Sequence, residues 1–201
     1  MFTKEDQDAI IHFLFDDKHN NFGNVELALG IIAAREKINR IIINKFLNTL
    51  TEYLNQQIKN LGESWIVVNE LQQDPFERYE QIYITKNEWK DLYRVALGPE
   101  EKGARGFIFG VWSRKDKLGH RFDGGRISAS LKRLGLGGAT SDVWPFWKRV
   151  DDYKNWDDPK TLSCFLEGQN LQAIEYLAGC LLAIARETEN VIDSLVHTDH
   201  I

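Results

Sequence analysis

At Gly62 the hydrophobic period of this chain changes, and the change restricts what it can fold into. From Asn24 onward apolar side chains recur in steps of three and four (Leu27, Ile31, Ala34, Ile38, Ile42, Phe46, Leu50, Leu54, Ile58, Leu61), which aligns them along one side of an α-helix. Asn24 suits the start of this helix and Gly62 its end, and Gly30 is the expected point of a bend. After Gly62 the runs become short and rich in β-branched and aromatic residues: 64–71, 80–85, 91–97 and 105–113. Asp74-Pro75, Lys86-Asn87-Glu88 and Gly98-Pro99 separate them, too briefly for helical crossovers, so the strands pair antiparallel as a meander.

Helical signals lie on both sides of this sheet. Thr3 and Asp6 have the spacing of a capping box ahead of Ile10, Ile11, Phe13, Leu14 and Phe15, and Lys18 to Asn24 breaks that first helix. A short helix is expected over 127–134, stopped by Gly135, and a closing helix over about 168–195 with Leu171, Ile174, Leu177, Leu181, Ile184 and Ile192 inward. The expected architecture is α+β in one domain of 201 residues: a helical block over 1–62, a sheet of about four strands over 63–114, and a basic loop with C-terminal helices over 115–201. A chain of this length buries roughly 70% of its unfolded surface, enough for a true core.

Charge is distributed unevenly. The net charge is −5, yet between Lys102 and Arg133 nine basic residues face only Asp116 and Asp123. Such a local excess attracts phosphate-bearing ligands even on an acidic protein. The opening residues lack the basic start and apolar run of a signal peptide, and no uncharged apolar stretch reaches about 18 residues. Cys164 and Cys180 sit in apolar helical surroundings and read as small buried hydrophobes of a reducing compartment. A soluble cytoplasmic protein, not engaged with membrane, is the expectation.

Motifs for chemistry are sparse. There is no Gly-x-Ser-x-Gly elbow and no Gly-Lys-Ser/Thr phosphate loop. His197-Thr-Asp-His200 stands at a terminus with no cysteine near it, and neither a metal nor another cofactor is expected. Asp74-Pro75 followed by Glu88-Trp89-Lys90 has the residue types of a magnesium-dependent nuclease centre, in which two carboxylates hold the cation and a lysine positions water. Asp74 and Glu88 fall in expected turns, whereas that chemistry requires one rigid sheet face.

Binding has better candidates. Asp123-Gly-Gly-Arg126 precedes an expected helix, where free amides and the helix dipole favour an anion, with Lys132 and Arg133 close by. Arg114, Lys115, Lys117 and Arg121 follow the 105–113 strand and border the same expected surface. Ser141 to Val150 adds Trp144, Phe146 and Trp147 around Pro145; with Ser141 or Asp142 as cap it reads as a helical turn whose two indoles share a face and plug the core.

The order of elements carries a resemblance. A helical block, paired strands with Trp89 in a turn, the Gly106-Phe-Ile-Phe-Gly110 strand, a Trp-Pro-x-Trp segment and a last leucine-rich helix resemble the C-terminal, non-nuclease region of bacterial PD-(D/E)XK nuclease-superfamily proteins, many linked to defence against phage. The resemblance covers roughly Asp16 to Leu195 and lies in texture and order, with no signature motif. It implies an accessory or sensing module whose catalytic nuclease fold is elsewhere.

Three functional expectations follow. The first is a non-catalytic module binding nucleic acid or a nucleotide through Arg114, Lys115, Lys117, Arg121, Arg126, Lys132 and Arg133, alongside a nuclease-type partner. The second is a protein-interaction subunit or inhibitor acting through acidic helices (Asp6, Asp8, Asp16 and Asp17; Glu187, Glu189 and Asp193). The third is a minimal nuclease using Asp74, Glu88 and Lys90.

Overall fold

The computed structural model describes residues 3–15, 21–118, 123–133 and 135–197. It is an α+β arrangement with helices before and after a five-stranded antiparallel meander, ordered β1-β2-β3-β4-β5. The chain divides into two compact units, 1–42 and 43–201.

The first unit holds α1 (Lys4–Phe15), α2 (Asn21–Ala33) and the first turns of α3 (Arg35–Gln57). The expected capping box forms: the Thr3 amide and hydroxyl donate to Asp6 Oδ2 at 2.8 Å each, and the Asp6 amide donates to Thr3 Oγ1 at 3.1 Å. Those bonds hold the Asp6 carboxyl below its ordinary pKa, the Thr3 amide contributing most. The long helical stripe is interrupted at Ala34, not at Gly30. Helical hydrogen bonds nevertheless run across the break, from Ala34 N to Gly30 O and from Ile38 N to Ala34 O, both 2.9 Å. No residue of α1 is buried.

In the second unit the strands are β1 (Trp65–Asn69), β2 (Ile82–Lys86), β3 (Tyr93–Glu101), β4 (Arg105–Ser113) and β5 (Phe146–Arg149). Their register aligns Val67, Ile84, Val95, Val111 and Phe146 in one row across the sheet, and Val68, Tyr83, Ala96, Gly110 and Trp147 in the neighbouring row on the other face.

The fifth strand corrects the helical turn expected over 141–150. Tertiary pairing prevails over the i, i+3 spacing of the indoles, because Phe146 opposes Val111 and the chain must extend to reach it. Two glycines make room: a Cβ on Gly110 would collide with the Phe146 carbonyl, and one on Gly138 with its ring. Phe146 is therefore the plug, 1% exposed, while Trp144 and Trp147 remain half-buried.

After the short α6 (Pro159–Cys164), the first face of the sheet is covered by α7 (Leu171–His197), which lies against β2, β3 and β4. Its buried stripe of Ile174, Leu177, Leu181, Ile184, Ile192 and Leu195 supplies the apolar contact. The second half of α3 contributes Ile43, Phe46, Leu47, Leu50 and Leu54, all fully buried. Phe46 stacks on Phe165 at 3.8 Å and meets the edge of Trp156, which stacks in turn on Phe107 at 3.9 Å. This aromatic series links α3, the segment after β5 and β4.

A polar anchor completes the seat of α7. Lys86, on the α7 side of β2, reaches Asp193 at 2.7 Å and Glu189 at 2.8 Å, with its side chain 10% exposed. Asp193 also accepts from the Trp89 indole at 2.7 Å, and Trp89 is fully buried in the turn after β2. Burial alone would lower the Lys86 pKa, but Asp193 and Glu189 outweigh it, and the net shift is upward from 10.5.

Because the folded-state value is the higher one, the anchor contributes fully below pH 10.5 and is lost as pH rises past the raised value. Lys86→Ala leaves two carboxylates facing each other beside an indole, and should lower unfolding stability by about 2–4 kcal/mol in denaturant titrations. The difference between wild type and Lys86→Ala should shrink as pH rises past the raised Lys86 value; a difference unchanged by pH there would contradict the anchor.

Candidate functional site

The basic segment begins where β4 ends. At this end of the sheet β2 and β4 leave and β3 and β5 enter, so the turn around Trp89, the start of β3 and the residues before Phe146 come together. The Ser113 amide donates to Val143 O at 2.8 Å and the Arg114 amide to Leu92 O at 2.9 Å, which fixes where Arg114 leaves the sheet. Its guanidinium lies 3.5 Å from Asp116. Lys117 follows on α4 (Lys115–Leu118) and is exposed. The Lys115 side chain and all of Arg121 lie outside the described residues.

α5 (Gly124–Arg133) carries the remaining cations. Ile127, Ser130 and Leu131 are its buried residues, and the helix packs on α7. Arg126 donates to the Ser194 hydroxyl at 3.0 Å, and Arg133 lies 3.6 Å from Glu187. The two contacts are seven residues apart on each helix and run in opposite order, so α5 lies antiparallel along α7. Its basic side chains Arg126, Lys132 and Arg133 are all exposed.

A cleft of about 470 Å³ opens between α5 and the segment before β5. Gly124, Gly125, Ser128 and Lys132 line one wall, and Thr140, Ser141 and Pro145 the other. Three hydroxyls, an ammonium and a glycine-rich backbone are the groups that hold phosphate oxygens. One wall residue opposes that use. Asp123 lines the cleft, and its Oδ1 accepts from the Arg126 amide at 3.1 Å, so the helix start expected to be free for an anion is occupied by the protein's own carboxylate.

The seven proposed cations thus divide. Arg114 and Arg133 meet carboxylates; Lys117, Arg126 and Lys132 form no ion pair among the described residues. Arg114 leaves the sheet end bonded to Leu92, Arg126 reaches Ser194 on α7, Lys132 lines the cleft, and Arg133 sits at the far end of α5, about 15 Å along it.

Asp74, Glu88 and Lys90 do not share a face. Asp74 lies in the loop between β1 and β2, its Oδ1 accepting from the Phe76 amide at 3.0 Å, while Glu88 and Lys90 are exposed in the turn at the other end of β2. Five residues of strand, about 17 Å, separate the two groups. Among the described residues no cluster of three His, Cys, Asp or Glu is placed to hold a metal. Of the terminal histidine pair, His197 Nδ1 lies 2.7 Å from Asp193 O and His200 is outside the described residues. Burial pushes the Cys180 thiol up to about 11, so it carries almost no thiolate at neutral pH.

One constellation escaped the sequence reading. On the sheet face opposite α7, Arg94 lies between the rings of Tyr83 and Trp112, at 4.2 and 4.3 Å, and 3.2 Å from Glu70. Only the strand register, which sets Arg94 opposite Trp112, brings these residues together. With both sides of its guanidinium covered, Arg94 stiffens the face beside Arg114 and leaves little of itself for a ligand.

Compared with protein-family models, with curated proteins and with solved structures, the chain matches none of them.

The cleft gives a separable prediction. Asparagine caps a helix as well as aspartate does. Asp123→Asn should therefore leave the unfolding free energy within about 0.5 kcal/mol of wild type while raising affinity for inorganic phosphate or an oligonucleotide severalfold, measured by calorimetry. Unchanged or weaker binding would show that the cleft does not receive the anion.

Proposed function

We propose that this chain is a non-catalytic binding module that takes phosphate-bearing ligands, nucleic acid or a nucleotide, at the α5 cleft and the cations beside it. What carries the reading is the lining of one concavity by Lys132 together with Ser128, Thr140 and Ser141, on the same helix as Arg126, which donates to the Ser194 hydroxyl and forms no ion pair among the described residues. The two cations that do meet carboxylates form long, exposed pairs, with Arg133 74% exposed, and such pairs contribute little and exchange readily for phosphate. An accessory role beside a nuclease-type partner, in the setting of phage defence, is what the resemblance adds.

Protein interaction is the second reading, and a different observation favours it. Large apolar side chains of the 1–42 unit stand exposed, among them Phe13, Phe15, Leu27 and Ile32. This surface, rather than the acidic helix ends, is the stronger feature for a partner.

Fluorescence anisotropy with a labelled single-stranded oligonucleotide tests the first reading. Binding should weaken as salt rises, with a slope of about 0.7 per phosphate neutralised. Arg126→Glu with Lys132→Glu should cut affinity more than about tenfold and flatten the slope by about two contacts, whereas Glu88→Ala should change neither. Wild-type affinity in the double variant overturns the reading. Magnesium-dependent cleavage lost in Glu88→Ala would replace it with the nuclease.

A further inference from the structure

We infer that residues 1–42 are a self-association unit: two copies of the α1–α2 helix pair join to complete a four-helix bundle. Ten large apolar side chains of this unit are each more than two-fifths exposed: Ile10, Ile11, Phe13 and Phe15 on α1, Leu27, Leu29, Ile31 and Ile32 on α2, and Ile38 and Ile41 on the first turns of α3. A folded chain rarely leaves this much large apolar surface exposed without a function for it.

The distribution of these residues identifies the occupant. On α2, Leu27 and Ile31 share one side of the helix and Leu29 and Ile32 the other. Glu26 is the single charged residue among its 13. A helix apolar all round is made to be enclosed, and a partner lying flat against one side leaves the other in water. A helix pair of the same kind encloses both sides, and two pairs make the four-helix arrangement.

Area and shape agree with a second copy. Ten such side chains offer on the order of 1,000 Å² per chain, compared with about 800 Å² per partner in a standard specific interface. A shallow groove also runs along α2 into the first turn of α3, in which Gly23, Gly30 and Ala34 alternate with Leu27, Ile31 and Ile38, with Glu26 at its edge. No atom would meet a Cβ on Gly23 or Gly30 within 4 Å, so the floor is open, and one surface presents both hollows and projecting side chains. That is the self-complementarity a two-fold interface requires.

Charge favours the same occupant. Acidic Glu5, Asp6 and Asp8 open α1, and basic Arg35 and Lys37, which form no ion pair among the described residues, open α3. An antiparallel copy can set one group against the other. A membrane surface fits less well, since seven acids face five bases over 1–42 and no helix among the described residues is long and apolar enough to cross a bilayer.

Light scattering coupled to size exclusion on the full chain tests the proposal. At tens of micromolar the mass should be twice 23.3 kDa and should fall toward one chain on dilution. Leu27→Asp with Ile31→Asp should give 23.3 kDa at every concentration with the helical circular-dichroism signal retained, since neither side chain is buried. A wild-type monomer overturns the proposal, as does a monomer that floats with anionic vesicles. A dimer that survives the double substitution also overturns it, by placing the interface elsewhere.

Discussion

The second unit depends on how α7 is seated. Its apolar stripe would lie on the sheet at several registers, since burial of hydrophobic surface has no direction. The bonds from Lys86 and the Trp89 indole to Asp193, with Glu189 one turn earlier, admit one register only. That register positions α5, because Arg126 and Arg133 meet Ser194 and Glu187 on the same stretch of α7. The cleft beside α5 is therefore held by a lysine and a tryptophan on the far side of α7. An interior anchor fixes an exterior basic surface.

The same economy governs the sheet. Gly110 lets β5 approach β4 closely enough for Phe146 to join the core row, and Gly138 leaves space for the ring. Once β5 is placed, Thr140 and Ser141 just before it form the second wall of the cleft. The stretch with three aromatic rings thus serves the site through the backbone it positions, with Phe146 inward and the indoles half-buried.

Much of the architecture was legible from periodicity. The 105–113 strand, the Thr3–Asp6 capping box and the closing helix, apart from Leu171, which is exposed at its start, form as read, because each is fixed by local spacing. β5 was not legible, since its extended form comes from pairing with Ile108–Val111, far earlier in the chain, while Trp144-Pro-Phe-Trp147 satisfies a helical turn equally well. The cations of the site could be named from composition alone. Their pairing could not: Asp123 as the helix cap, Glu187 beside Arg133 and Arg94 between two rings depend on register and helix packing. The exposure of Phe13, Leu27 and Ile32 was invisible for another reason, because an apolar stripe reads the same whether its own chain or another covers it.

The central claim is that α7 presents α5 so that phosphates enter between Ser128 and Thr140. Amide hydrogen exchange of the full chain, with and without a saturating oligonucleotide, tests it most directly. Slower exchange confined to Gly124–Ser128 and Thr140–Ser141 is the predicted result. Protection that appears on β1 or the Asp74 loop, with the α5 cleft unchanged, would contradict the account.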